Sequence, residues 1–78
     1  MSHTPHELHQ EFPQHAEALH QLKMSNAHFQ RLSQDYERIN KIIYKAEAGL
    51  EPMDDAALEG LKKQRLHIKD DIAKLLTA

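Results

Sequence analysis

A seven-residue recurrence constrains this chain more than any other feature of its sequence. Phe29, Tyr36, Ile43 and Leu50 stand seven apart, and Leu32, Ile39 and Ala46 interleave with them. Alternating steps of three and four put one apolar stripe along a helix, at the a and d positions of a heptad. Gly49 supplies a stop, because glycine takes the left-handed conformation of a helix end without steric cost. Pro52 then keeps the helix from resuming. Beyond it, Leu58, Leu61, Arg65, Ile68, Ile72 and Leu75 repeat the same spacing. So short a connection makes the two helices antiparallel neighbours, whose seam pairs an a position with a d position. Folding about Pro52 matches Ala46 with Leu58, Ile43 with Leu61, Ile39 with Arg65, Tyr36 with Ile68, Leu32 with Ile72 and Phe29 with Leu75. The two residue numbers in every layer sum to 104, so one register uses every position of both stripes except Leu50, next to the turn.

The expected fold is all-α: an antiparallel, coiled-coil-like helical hairpin preceded by one or two short N-terminal helices. The 78 residues form one small domain, near the size where a single core is barely sufficient. Its parts are an N-terminal helical segment (1–25), a long helix (26–48), a turn (49–54) and a last helix (55–76). Thr4, Pro5 and Glu7 fit a capping box with proline at the first helical position. Phe12 precedes Pro13 and is pushed toward extended geometry, which ends the first helix. Ser25 and Asn26 are both good N-caps and allow a break there, whereas Leu22 continues the heptad frame of Phe29 and argues for continuity. Asp54 caps the last helix, with Met53 and Leu58 placed as a hydrophobic staple. Glu37 with Lys41, Glu59 with Lys63 and Asp70 with Lys74 are acid-before-base pairs at the spacing that supports a helix by about 0.3 kcal/mol each.

The register leaves residues over. Leu22 would need a partner near position 82, beyond the 78 residues. Leu8, Phe12, Leu19 and Leu22 must therefore bury themselves away from the seam. Ile42, Tyr44, Leu66 and Leu76 lie on the outer flanks. A two-helix hairpin does not bury a full core, and association is a usual remedy. The N-terminal segment over the flanks, a second copy, or both would answer the deficit, and a homo-oligomer, a dimer above all, is expected. The candidate interface is Tyr44, Leu66, Ala73 and Leu76, flanked by Lys62 and Lys69.

Little here resembles chemistry. Without cysteine there is neither disulfide nor thiolate metal site. There is no glycine-rich phosphate loop and no nucleophile-elbow serine. The adjacent acids Asp54-Asp55 and Asp70-Asp71 diverge on a helix. A hairpin so thin leaves no room for a cleft of some 300 Å³, roughly the lower size of a ligand pocket. No enzyme, cofactor or metal site is expected. His3, His6 and His9 recur every three and could share a helix face, but exposed polar positions explain them as well. Arg65 in an apolar layer is the one anomaly. Either its stem packs while the guanidinium reaches solvent or an acid such as Asp35, or it fixes register or oligomeric state.

Ten Lys and Arg against twelve Asp and Glu give a net charge of −2, whereas a nucleic-acid binder more often gathers a basic surplus on one face. The sequence shows neither a secretory signal nor an apolar run of the roughly 18 residues that span a membrane. A cytoplasmic interaction or scaffold module, working through itself or a protein partner, is the expected function. The alternative is a nucleic-acid accessory protein using Lys62, Lys63, Arg65 and Lys69, with Arg31, Arg38, Lys41 and Lys45.

The segment HFQRL, then Tyr36 and Ile39, then KAEAGLEPMDDAALEGLKKQRLHIKDDI, resembles the YdcH-like family of small bacterial helical proteins, a domain of unknown function. The resemblance extends to the leading EFPQH. It is most specific at His28-Phe29, at Glu47-x-Gly49 and at Leu61-Lys62-Lys63-x-Arg65-Leu66 with the following Ile68-Lys69-Asp70-Asp71-Ile72. It implies a short helical protein of the bacterial cytoplasm with Arg65 as part of the family pattern. It implies no activity, cofactor or catalytic residue.

Overall fold

A computed structural model describes residues 5–77. Four helices follow in order: α1 (Leu8–Glu11), α2 (Ala16–Ser25), α3 (Ala27–Glu47) and α4 (Asp55–Thr77), with a 3-10 turn Pro13–His15 before α2. α3 and α4 pack on each other as a helical hairpin, and α2 packs back on α3. The longest dimension, 36 Å, is about the length of α4 at 1.5 Å per residue.

The helix ends carry their sequence signals. Gly49 lies in the left-handed region at φ 78°. Its N–H donates to Ala46 O at 3.2 Å and that of Leu50 to Lys45 O at 2.9 Å, which closes the end of α3 in a Schellman motif. Leu50 therefore leaves the heptad frame and sits exposed in the turn. At the start of α4, Asp54 Oδ1 accepts from Ala57 N at 2.7 Å.

The break between α2 and α3 is real. Asn26 is extended, and its Oδ1 accepts from Phe29 N at 2.9 Å, which satisfies one orphan donor of the new helix. The N-terminus departs from the expected capping box. Thr4 lies outside the described residues. Pro5 and His6 form a turn instead of opening a helix, and α1 begins only at Leu8 with Glu7 as its N-cap residue. His6 adopts φ 64°, which no right-handed helix accommodates.

Phe29, Tyr36, Ile39, Ile43 and Ile72 are buried, and Leu32, Ala46, Leu58, Leu61, Arg65, Ile68 and Leu75 are half-buried. The N-terminal segment answers the deficit left by the hairpin. Leu19 is buried in one cluster with Phe29, Tyr36 and Ile72, and Leu8, Phe12 and Leu22 pack against it together with Leu76. Fully burying a Leu-sized side chain is worth about 1.5–3 kcal/mol; Leu19 comes near that and the half-buried Leu8, Phe12 and Leu22 add smaller shares, so the segment, here called the strap, is part of the core.

The i, i+4 pairs on the helix surfaces are not where the ions meet. Among the described residues Asp35 meets Arg38, Glu47 meets Lys62, Glu51 meets Lys45 and Glu11 meets Lys69. Exposed pairs gain so little that solvation competes with closure, whereas Glu11–Lys69 ties separate elements together.

Candidate functional site

The polar side chains that matter lie where strap meets hairpin. Positions 29, 33, 36 and 40 form one face of α3 that shares Phe29 and Tyr36 with the seam. Phe29 and Tyr36 are apolar there, and Ser33 and Asn40 are polar yet buried. A buried polar group needs a partner, and for Asn40 the strap supplies one. Asn40 Nδ2 donates to Pro5 O at 2.7 Å, and its Oδ1 accepts from Arg65 Nη1 at 2.9 Å. Beside this relay, Tyr36 Oη donates to His6 O at 2.6 Å. The left-handed turn at His6 lets two successive carbonyls be used this way.

Arg65 is thereby explained, with a correction. Asp35 is not its partner, because that carboxylate pairs with Arg38 at 3.6 Å. The Arg65 guanidinium reaches across the hairpin to the amide of Asn40. Burial pushes the Tyr36 phenol up to about 12, with the Glu11 charge adding to the shift and Arg65 pulling against it.

A second tie lies at the other edge of the strap. Lys69 Nζ donates to Glu11 Oε1 at 3.1 Å and stands 5.9 Å from the centre of the Phe12 ring, within cation–π range. Burial works to raise the Glu11 carboxyl, but the hydrogen bond and charge of Lys69, joined by His6, hold it below its ordinary value. On the hairpin itself, the Lys62 hydrogen bond lowers Glu47.

Strap and hairpin border a half-open groove of about 330 Å³ with Leu8, Leu19, Phe29 and Tyr36 among its walls. The expectation that no such cleft could form was drawn for a bare hairpin, and the strap overturns it. His9, His20, Lys23 and Lys41 line it together with Glu7 and Glu37, so fixed charges of both signs meet there.

The four residues of the candidate interface part company. Leu66 is 57% exposed, and Tyr44 and Ala73 are half-buried. Leu76 is drawn inward, against the cluster that the strap covers. The candidate nucleic-acid footprint is also divided. Lys62 pairs with Glu47, Arg65 with Asn40 and Lys69 with Glu11, while Lys63 is exposed. Of the histidine triplet, His3 lies outside the described residues; His6 sits in the turn and His9 on α1, so they share no helix face. Among the described residues no group of three or more His, Asp or Glu is placed to hold a metal ion.

Sequence reasoning missed Asn40 and the groove. A signal was present: polar residues at 33 and 40 continue the spacing of Phe29 and Tyr36, which marks a second buried face rather than a solvated one.

Compared with known proteins, residues 29–76 match a family described as "Protein of unknown function (DUF465)". No curated protein and no solved structure matches the chain.

Proposed function

The chain belongs to the DUF465 family of proteins of unknown function, and on that footing we propose that it is a non-catalytic helical interaction module, acting through self-association or a protein partner. The observation that carries this reading is Leu66, an aliphatic side chain 57% exposed in the middle of α4. Tyr44 and Ala73, half-buried, are the apolar residues proposed to flank it. A helix edge of this kind suits a partner helix that docks by anchors at i, i+3, i+4 and i+7. A dimer formed through it makes a four-helix arrangement of two hairpins. The most elaborate polar constellation, Arg65 with Asn40 and the turn carbonyl of Pro5, links strap to hairpin, which supports a structural rather than a catalytic role. Among the described residues no helix is long and apolar enough to cross a membrane, and we assign the module to the cytoplasm, as its YdcH-like resemblance implies.

The nucleic-acid reading gains nothing from the geometry, because Lys62, Arg65 and Lys69 are each engaged within the fold. Leu66→Glu tests the favoured reading. It should leave helicity and melting unchanged while association is lost. A variant that unfolds would mean that Leu66 is core, and one that associates like the wild type would remove this edge.

A further inference from the structure

α2 and α3 meet at a single residue. Asn26 alone is extended, at φ −126° and ψ 108°, between Ser25 and Ala27. Local side chains hold the break: Asn26 Oδ1 accepts from Phe29 N, and Gln30 Nε2 donates to Lys23 O at 2.6 Å. The apolar pattern on both sides favours a helix through it. Leu22 stands seven residues before Phe29 and Ala18 fourteen before Leu32, so the a and d frame of α3 carries over into α2, with the polar Ser25 at the d position beside the break. With Asn26 helical, residues 16–47 would form one helix of about 48 Å at 1.5 Å per residue. The strap would then point past the end of the hairpin instead of folding back on it.

Two observations mark the strap as a separable piece. A half-open groove of about 330 Å³ runs along its contact with α3. The family match begins at Phe29, just past the break, and covers the hairpin without the strap. A hairpin stripped of its strap shows a face of Phe29, Tyr36 and Ile72. Every contact the strap makes to that face is offered equally by a second copy, which is the condition for exchange of an element between protomers.

We propose that Asn26 is a hinge across which the strap, residues 5–25, exchanges between two copies of this chain, so that each strap covers its partner's hairpin. The bonds of Tyr36 to His6 O, Asn40 to Pro5 O and Lys69 to Glu11 persist in the exchanged dimer. Only the hinge and the chain of origin change. This association is distinct from the Leu66 edge contact, which leaves each strap at home, and the two fail separately.

The Glu11–Lys69 contact at 3.1 Å reports which chain the strap belongs to. A carbodiimide joins a carboxylate and an amine in contact as an amide, with loss of water. The amide lies within one chain when the strap is closed and between two chains when it is exchanged. The experiment mixes unfolded ¹⁵N-labelled and unlabelled chains, refolds them in the Leu66→Glu background and maps the cross-link by mass spectrometry. Asn26→Ala and Asn26→Gln remove the cap and favour helix. Both are expected to raise helicity and to yield a denaturant-resistant species of twice the 9.0 kDa chain mass, carrying labelled–unlabelled Glu11–Lys69 amides. Three glycines inserted after Asn26 uncouple the two helices and should return the amide to a single chain. A cross-link that stays within one chain in both hinge variants overturns the proposal, and so does a loss of helicity in both. Neither result bears on the edge contact, which stands or falls with the effect of Leu66→Glu on the otherwise unaltered protein.

Discussion

Asn40 accepts a hydrogen bond from Arg65 at 2.9 Å across the hairpin while its own amide donates to the carbonyl of Pro5. One side chain, 3% exposed, thus links three parts of the chain that are far apart in sequence. Truncating it leaves a half-buried guanidinium and a carbonyl without their partner. Asn40→Ala should cost about 1–3 kcal/mol, the usual penalty for an unsatisfied buried group. In a double-mutant cycle with Arg65→Met, measured by urea unfolding, the two losses should be non-additive by about 0.5–3 kcal/mol. Additive losses would show that the bond contributes nothing.

Tyr36 makes stability fall in alkali. Its phenol is pushed up to about 12 from an ordinary 10.0, so the folded state holds this proton more tightly than the unfolded state. That contribution is fully present below about pH 10 and is lost as pH rises from about 10 through about 12. The slope approaches 1.4 kcal/mol per pH unit in that window. Tyr36→Phe should remove this component while lysine titration, common to both proteins, remains. Equal alkaline slopes in the two would contradict the burial of an intact phenol–carbonyl bond.

Glu11 acts at the opposite end of the scale. Its carboxyl is held below the ordinary value of 4.5, with Lys69 and His6 outweighing burial. The sign is that of a depressed acid: the stabilisation is present above the unfolded value and is lost as pH falls through the folded one. Thermal melts between pH 5 and pH 2 should therefore fall less steeply for Glu11→Gln than for the wild type. Identical acid profiles would mean that the strap is not tied down by Lys69.

The hairpin was legible because Phe29, Tyr36, Ile43 and their partners on α4 obey one period, and period is what burial on a single face imposes. The cap at Asp54 and the stop at Gly49 were legible for a related reason, since each depends only on residues within a turn of it. The strap was not. Its seat depends on Asn40, a residue that reads as solvated, and on a left-handed His6 that no local propensity requires. Arg65 fell between the two cases. Its place in the seam follows from spacing, but its partner lies on a face that only tertiary contact defines. Leu76 reads as an open flank for the same reason, since its contact with the strap-covered cluster is tertiary.

Ile43 tests the seam itself. It is 1% exposed in the middle of α3, with no polar group among the seam partners assigned to it. Ile43→Asp buries a charge without compensation and should cost more than about 4 kcal/mol, comparable to the whole stability of so small a domain. Circular dichroism should show a largely unfolded chain at 25 °C. A wild-type melting temperature would place Ile43 outside the core.

Sedimentation equilibrium of the wild type and Leu66→Glu at micromolar concentration addresses the interaction module most directly. The account predicts a wild-type dimer, twice the 9.0 kDa chain mass, and a Leu66→Glu monomer with unchanged helicity. A wild-type protein that sediments as a 9.0 kDa monomer, with a melt independent of concentration, would contradict self-association.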